Sequence, residues 1–274
     1  MQQKRPLKVE SQVAFLDEQW RERTDLPHIY NRQSRQDNTT PKRVTIHSAR
    51  PRQEANDLHL DQSGFILVSH QTQVTDFRDK QIVADVYFPE MRDLILAETG
   101  AVDAFPVQFY QVRSSDPEHF FDAYSLYMHC DFSPRGWTKL ARRMIKAAGA
   151  TTDYAEPEWD FALYNLWRPI GGAVERDPLV LIDASTVDAA DILDYSAMKE
   201  PGNARAALPL YNQAQRLYYV PDMRTDELLV FKQLDSRPGH ALVCPHTSFD
   251  DPTSGPDARP RESIDVRMIC IFPK

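Results

Sequence analysis

The sequence lacks the features of several large protein classes. No apolar run approaches the ~18 residues that a membrane-spanning helix needs, and no apolar segment follows Met1–Pro6, so we expect neither a membrane anchor nor a secretory signal. Basic residues are the minority, 32 against 40 acidic ones, and the net charge is −8. Nucleic acids and anionic membranes require a basic face on the protein, so we expect neither as a partner.

Cysteine is scarce, and the motifs of several common enzyme classes are missing. The three cysteines are Cys130, Cys244 and Cys270, an odd number at no zinc-like spacing. We interpret them as free thiols in a reducing compartment and expect a cytoplasmic protein. The chain also has no Gly-x-Ser-x-Gly elbow, phosphate loop or Gly-x-Gly-x-x-Gly motif, which disfavours the hydrolase and nucleotide-binding classes that use them.

Short strand-like runs separated by turn residues dominate the second half of the chain. They are Phe161–Trp167, Leu179–Ile182, Leu217–Val220, Glu227–Leu234, Ala241–Cys244 and Glu262–Phe272. Because they rarely alternate with helices, they predict a mainly β, jelly-roll core with helices packed outside. We expect one domain over residues 1–274, with an N-terminal arm at 1–60, the core at 105–273 and an insertion near 183–209.

The remaining elements follow from periodicity and end signals. We predict helices at Gln12–Arg21, at Lys80–Thr99 as two pieces interrupted by Pro89, from an N-cap at Ser133 to Gly149, and at Asp188–Tyr195. We predict further strands at Val44–Ile46, Gly64–Val68, Val107–Val112 and Ala123–His129.

The stretch that ends in His129-Cys130-Asp131 carries the first sign of chemistry. Side chains alternate faces along a strand, so His129 and Asp131 point to the same side. An imidazole and a carboxylate so placed supply two of the three ligands of a 2-His-1-carboxylate Fe(II) site. A His-x-Asp triplet alone is weak, and His59-Leu60-Asp61 is a second example in a polar stretch that we interpret as a surface loop.

A second histidine must come from elsewhere in the chain. His240 follows a turn, Arg237-Pro238-Gly239, and is expected to be exposed. His246 stands where a predicted strand ends and an acidic loop begins, and we favour it over His240 as the third ligand, although a histidine that only caps a loop is the plain alternative.

The last strand adds a candidate anion site. Arg261 and Ser263 share a face with Asp265 and Arg267, and the opposite face is apolar. An arginine fork and a hydroxyl can hold a carboxylate. In most barrels such a polar face meets solvent, but a charged cosubstrate would require it inside.

These motifs together resemble a known family. The His129-x-Asp131 pair, His246 and the Arg261-x-Ser263 strand resemble an Fe(II)/2-oxoglutarate dioxygenase. Three further runs narrow the resemblance to the gibberellin-desaturase/aspergillic-acid-hydroxylase-like family, which includes a protein of cephamycin methoxylation. They are Asn165–Ile170, Tyr218–Met223, and Pro245–Pro252 with Arg261–Arg267.

The resemblance, over roughly residues 105–273, implies a double-stranded β-helix and oxidative tailoring of a small metabolite. It implies Fe(II) on His129, Asp131 and His246, 2-oxoglutarate on Arg261 and Ser263 with Arg267 in reserve, and O2 as oxidant. Substrate candidates are Asn165, Trp167, Arg168 and Arg113, although core packing or a salt bridge would explain each of them too.

Two alternatives remain open at this stage. The first is an Fe(II) and O2 oxidase that needs no 2-oxoglutarate, in which Arg261 binds the substrate. The second is a jelly-roll protein without catalysis that binds a ligand or supports another enzyme. The substrate, the choice among hydroxylation, desaturation and cyclisation, and the oligomeric state do not follow from the sequence.

Overall fold

The computed structural model describes residues 5–107, 110–114, 124–154, 158–197 and 205–274. Its strands are β1 (Lys8–Leu16), β2 (Thr39–Ser48), β3 (Phe65–Ser69), β4 (Asp103–Pro106), β5 (Gln111–Arg113), β6 (Trp159–Pro169), β7 (Leu179–Ile182), β8 (Ile192–Ser196), β9 (Arg205–Pro209), β10 (Leu217–Tyr219), β11 (Glu227–Asp235), β12 (His246–Ser248) and β13 (Ser263–Pro273). The α-helices are α1 (Arg32–Asn38), α2 (Arg50–Glu54), α3 (Lys80–Ile82), α4 (Phe88–Thr99) and α5 (Trp137–Ala147), with short 3₁₀ turns at Glu18–Glu22, Ala184–Thr186 and Ala189–Asp191.

Two sheets form the core. One sheet has the order β1-β2-β10-β7-β12, and the other has the order β3-β11-β6-β13-β4, with β5 pairing with β13 as well. Neighbouring strands are antiparallel except for β2 and β10, which run parallel. A small β8-β9 hairpin stands apart. This mainly β, double-sheet architecture confirms the predicted jelly-roll class.

Apolar side chains from both sheets meet between them. Trp167 of β6 and Phe231 of β11 pack in one cluster with Leu179 and Leu181 of β7. The outer face of the larger sheet is covered by α4, whose Met91 and Ile95 are buried. Helix α5 closes the sheet further along and buries Trp137 there. Sheets covered on both faces explain why β6, β11 and β13 are buried along almost their whole length.

Strand β13 carries its polar residues on the inside. Ile264, Val266 and Met268 pack in the cluster under α4. Residues of the other parity, Asp265 and Arg267, are buried too, at 5% and 3% exposure. The polar face that would ordinarily meet solvent therefore lies in the interior, as a charged ligand would require.

Several predicted elements are different in the structure. The predicted helix at Gln12–Arg21 is wrong, because residues Lys8–Leu16 form β1, paired with β2. The period-two pattern of β1 is only partial, since Val9, Val13 and Phe15 are buried but the adjacent Leu16 is buried as well. The predicted helix at Asp188–Tyr195 is also wrong: a 3₁₀ turn leads into β8. These short segments take their structure from strand partners that local periodicity does not reveal.

The segment around Pro89 is one continuous helical run rather than two helices. A π-helical turn, Val83–Tyr87, joins α3 to α4, and the Phe88 N–H donates to the Val83 carbonyl. Pro89 then occupies the first turn of α4, where a missing N–H costs little. The run ends at Gly100, whose φ of 68° is left-handed and suits glycine.

Ser133 is not the N-cap of α5, which starts at Trp137. The residue before the helix is Gly136, with φ 73° and no side-chain cap. Ser133 Oγ instead donates to Asp194 Oδ1 at 2.6 Å and accepts the Arg135 N–H at 3.0 Å.

Two predicted strands are also absent as regular strands in the described part of the chain. Of Ala123–His129, Ala123 lies outside the described residues, Tyr124–Met128 are irregular, and only His129 forms an isolated bridge. Residues Ala241–Cys244 are irregular, and the strand begins at His246. The predicted strand at Val107–Val112 shortens to β5, and residues 108–109 lie outside the described part.

Candidate metal centre

The structure brings His129, Asp131 and His246 together. His129 and His246 form an antiparallel bridge, with ring centroids 4.4 Å apart. Asp131 Oδ1 lies 3.4 Å from His129 Nε2 and 4.0 Å from His246 Nε2. One donor atom from each residue lies within 4.8 Å of the other two, and all three side chains are largely buried. This is the donor set of a 2-His-1-carboxylate site.

The competing histidines lie elsewhere. His240 Nε2 is 3.5 Å from Asp61 Oδ2. Asp61 Oδ1 is also engaged, by Lys232 Nζ at 2.7 Å and by Arg237 Nη2 at 2.8 Å. The His59-x-Asp61 triplet is therefore part of an ion-pair cluster, and the described residues contain no second group of this metal-binding kind.

The surroundings orient His129 for a metal. Its Nδ1 is 3.0 Å from the Tyr127 carbonyl oxygen and 3.2 Å from Ser125 Oγ. A carbonyl oxygen only accepts, so Nδ1 carries the proton and the Nε2 lone pair faces Asp131 and His246. A hydrogen bond of this kind commonly fixes the tautomer of a metal-binding histidine.

Asp131 is held by two buried donors on the larger sheet. Its Oδ2 accepts from Arg267 Nε at 2.7 Å and from Asn165 Nδ2 at 3.0 Å. Burial by itself would raise the pKa of Asp131, but attraction to the Arg267 guanidinium, added to the contacts with His129 and His246, outweighs burial and holds that pKa well below its usual value. The carboxylate is therefore ionised, with Oδ1 directed at the histidines. Burial also lowers the pKa of His246, so its imidazole is neutral, as metal binding requires.

Arg267 and Asn165 thus differ from the positions expected of them. Arg267, the reserve candidate for 2-oxoglutarate, is engaged by Asp131 and, at 3.2 Å, by Asp265. Asn165, a substrate candidate, donates to Asp131 and to Asp265 Oδ2 at 3.3 Å. Burial raises the pKa of Asp265 to about 6. Asn165 and Arg267 therefore both hold Asp131, a candidate metal ligand, and neither lines the cavity.

Arg261 lies on the far side of the same cavity. Its Nη1 donates to Ser263 Oγ at 2.6 Å, its Nη2 donates to Ser248 Oγ at 2.8 Å, and its Nε donates to the Asp177 carbonyl oxygen at 2.8 Å. The guanidinium carbon lies 4.3 Å from the ring centre of Tyr124 and 5.1 Å from that of Trp167. The cavity is lined by Arg113, Ser125, His129, Trp167, Leu179, Phe231, His246, Thr247, Ser248, Arg261 and Asp265.

The remaining substrate candidates separate by strand face. Trp167 and Arg113 reach the cavity. Arg168 does not, because neighbours on β6 point to opposite faces. Its guanidinium lies 5.6 Å from the ring centre of Tyr87 and donates to the His70 carbonyl oxygen at 2.9 Å. Arg168 as a substrate ligand in this cavity is therefore a correction to the sequence analysis.

Sequence reasoning missed two polar residues of the site. Ser248 stands two positions after His246 on β12, so period-two alternation could have identified it as a partner for Arg261. The second residue is Gln233, which accepts the Asp131 N–H and contacts His246 Nδ1. It is placed there by a β-bulge in β11, and no local sequence pattern indicates where a bulge occurs.

Comparison with known proteins gives a consistent result. The family described as "Oxidoreductase/YMDC permease-like domain" matches residues 14–271. Alpha-ketoglutarate-dependent dioxygenase phiK of Fungal sp. (strain ATCC 74256) is 28% identical, over 80% of this chain and 81% of its own. Hydroxylase/desaturase efuI of Hormonema carpetanum is 28% identical, over 81% of each chain. The structure of the iron and alpha-ketoglutarate-dependent endoperoxidase NvfI superposes with a TM-score of 0.86 at 24% identity, covering 99% of this chain and 100% of NvfI.

A jelly roll that gathers two histidines and a carboxylate beside a buried arginine defines the class of non-haem iron oxygenases. With the family match over residues 14–271, the chain belongs to this oxidoreductase family, within the Fe(II)/2-oxoglutarate-dependent oxygenases. Across the described residues, no helix is long and apolar enough to span a bilayer.

Proposed function

We propose that His129, Asp131 and His246 hold Fe(II) and that Arg261 binds the distal carboxylate of 2-oxoglutarate. The observation that carries this proposal is a buried arginine in the same cavity as the two histidines, 3% exposed. Its contacts are carbonyl and hydroxyl oxygens and the rings of Tyr124 and Trp167.

Among the described residues, the Arg261 guanidinium contacts neutral oxygens and aromatic rings but no carboxylate, which leaves its buried charge uncompensated. Removing a charge from water costs several kcal/mol unless an opposite charge compensates. Burial lowers the pKa of Arg261 to about 10, which still leaves the side chain charged at neutral pH. A dicarboxylate that enters the cavity would supply the missing negative charge, and the hydroxyls of Ser263 and Ser248 hold the guanidinium in place for it.

With Fe(II) and 2-oxoglutarate bound, O2 provides an oxidant strong enough to remove hydrogen from an aliphatic carbon. The protein positions the reacting groups and keeps water out of the cavity. Arg267 and Asn165 hold Asp131 at a fixed angle, and the Tyr127 carbonyl holds the His129 ring. The apolar walls, Trp167, Leu179 and Phe231, exclude water.

The substrate is a small metabolite, and the reaction is hydroxylation, desaturation or cyclisation. Relatives whose names include "hydroxylase/desaturase" support hydroxylation and desaturation as outcomes. Trp167 and Arg113 are our candidates for contact with substrate, since both line the cavity with His129. We further propose that residues 1–274 act as one domain and that the enzyme is cytoplasmic, which its three free cysteines favour.

The test is an anaerobic titration with Fe(II) and then 2-oxoglutarate. The expected result is the weak visible charge-transfer band of the iron–keto-acid chelate. Arg261→Gln should bind iron normally but lose 2-oxoglutarate affinity by about 10- to 100-fold, the effect of removing an ionic contact of about 1.5–3 kcal/mol. Arg259→Gln is the matched control, because Arg259 pairs with Glu175 at an exposed position two residues away.

Each other outcome points to a different alternative. Iron binding without the band in the wild type would favour an oxidase that uses no 2-oxoglutarate, with Arg261 on the substrate. Absence of iron binding would leave a ligand-binding or accessory protein. An unchanged charge-transfer band in Arg261→Gln would show that this arginine does not bind 2-oxoglutarate.

A further inference from the structure

Gln233 owes its position to a β-bulge beside the metal-binding cluster. The pairing of β11 with β6 shifts register between Lys232 and Leu234, and Gln233 is the extra residue. Bulges are frequent next to active sites because they redirect a side chain. Here the bulge places a fully buried amide between the two chain segments that carry the ligands.

The amide contacts both segments. Gln233 Oε1 accepts the backbone N–H of Asp131 at 3.0 Å, and Gln233 Nε2 lies 3.3 Å from Nδ1 of His246. The backbone N–H can only donate, so it determines which end of the amide carries the oxygen. One side chain thereby connects a carboxylate ligand to an imidazole ligand.

Metal binding changes what this contact requires. His246 Nε2 faces Asp131, so Nε2 is the atom that binds a metal, and the neutral ring must then carry its proton on Nδ1. In the present arrangement that Nδ1–H would face the NH2 group of Gln233, and two hydrogen-bond donors cannot bond to each other. The amide oxygen has two lone pairs and uses one for the Asp131 N–H, so it has the capacity to accept from the His246 Nδ1–H as well once the amide turns toward it.

We propose that Gln233 is a positioning residue for the metal centre, whose oxygen couples the Asp131 backbone to Nδ1 of His246 when the metal is bound. The inference rests on the proposed function, since it assigns this role at the same Fe(II) site. Outer partners of metal ligands typically contribute about 10- to 100-fold in metal affinity. We therefore expect the loss of this oxygen to weaken metal binding by that factor.

The experiment measures anaerobic Fe(II) dissociation constants, together with the visible bands of the Co(II)-substituted protein and the thermal unfolding midpoint. Gln233→Met keeps the length of the side chain and removes both hydrogen bonds. Gln233→Glu keeps two acceptors, one for the Asp131 N–H and one for Nδ1–H. Gln215→Met is the matched control: Gln215 is a buried glutamine that donates to the Leu210 carbonyl oxygen at 2.9 Å and accepts the Asn212 N–H at 3.2 Å, away from the site.

The proposal expects Gln233→Met to bind Fe(II) about 10- to 100-fold more weakly with shifted Co(II) bands, and Gln233→Glu and Gln215→Met to bind like the wild type or more tightly. A Gln233→Met protein that unfolds earlier but binds iron with wild-type affinity would make the role structural and overturn the proposal. If Gln233→Met does not fold, the Fe(II) affinity of Gln233→Glu tests the proposal instead. Weaker Fe(II) binding by Gln233→Glu than by the wild type would then overturn the proposal. A wild type that binds no iron rejects the proposed function itself.

Discussion

His129 and His246 exchange both backbone hydrogen bonds, each N–H donating to the carbonyl oxygen of the other at 3.1 and 3.0 Å. This mutual pair sets the distance between two candidate ligands that stand 117 positions apart in the sequence. The backbone positions that carry the two imidazoles are therefore fixed before any metal binds, which lowers the ordering cost of binding.

His129→Ala should abolish iron binding while the protein remains folded. The imidazole is one of three donors, so we expect Fe(II) affinity to fall by more than about 100-fold, beyond the loss typical of an outer partner. The check is anaerobic Fe(II) titration combined with circular dichroism. His240→Ala is the control, because that histidine pairs with Asp61 away from the site. Wild-type affinity in His129→Ala would remove His129 from the ligand set.

Arg267→Leu should destabilise the fold. Arg267 pairs with Asp131 and Asp265 in the interior, and removing the cation leaves two buried carboxylates. Breaking a buried ion pair from one side costs about 3–5 kcal/mol, which urea denaturation can measure. Arg43→Leu, which removes an exposed arginine 3.7 Å from Glu10, should change stability by no more than about 0.5 kcal/mol. Equal stability of the two variants would contradict the role assigned to Arg267.

Arg168→Met should leave iron and 2-oxoglutarate binding unchanged. Arg168 lies on the outer face of β6 under the helical run 80–99, and in the described structure its Nε and Nη1 have no hydrogen-bond partner. An apolar side chain of similar length loses the two hydrogen bonds to His70, and we expect stability to fall by no more than about 3 kcal/mol, since one hydrogen bond contributes about 0.5–1.5 kcal/mol. Weaker 2-oxoglutarate binding in Arg168→Met, measured beside Arg261→Gln, would contradict this assignment.

Glu227 should contribute to loss of stability in acid. Burial would raise its pKa, but the side-chain bond from Arg50, with the backbone bond and charge of Arg224, lowers it below the ordinary value. A carboxylate whose pKa is lower in the folded state than in the unfolded state stabilises the protein at pH values above the unfolded-state pKa of about 4.3. This stabilisation is lost as the pH falls through the folded-state pKa. Urea unfolding from pH 7 to pH 3 should show a shallower loss for Glu227→Gln.

The matched control for that pH series is Glu98→Gln, which removes one exposed carboxylate from α4. Both variants lose one negative charge, so a difference between them reports the local environment. If Glu227→Gln and the wild type lose stability in parallel as the pH falls, the paired state of Glu227 is not the cause.

Much of the site could be predicted from the sequence because the patterns that indicate it lie within short segments. Residues two apart on a strand share a face, which paired Arg261 with Ser263 and separated the polar and apolar faces of β13. The same rule kept Trp167 in the cavity and would have moved Arg168 to the other face. The preference for His246 over His240 also came from local context, a strand end rather than a turn.

Other elements could not be predicted from the sequence of a short segment. The residues before His129 look like a strand, but Met128 and Ser125 bond to backbone groups of two different segments, at Ala14 and at Ser248. Ser133-Pro134 resembles a helix start, yet the Ser133 hydroxyl is taken by Asp194 from a distant hairpin. In both cases a contact far along the chain outweighs a propensity of a few tenths of a kcal/mol to about 1 kcal/mol.

The sequence by itself determined the donor types, the two-faced strand β13 and the mainly β class, because these depend on residue chemistry and a period of two. The tertiary structure alone decided that Asn165 and Arg267 hold Asp131, and that Gln233 reaches both Asp131 and His246. These contacts depend on strand register and on one bulge, and one residue of shift turns a side chain to the opposite face. That shift is determined by the packing of the whole jelly roll and not by any segment of it.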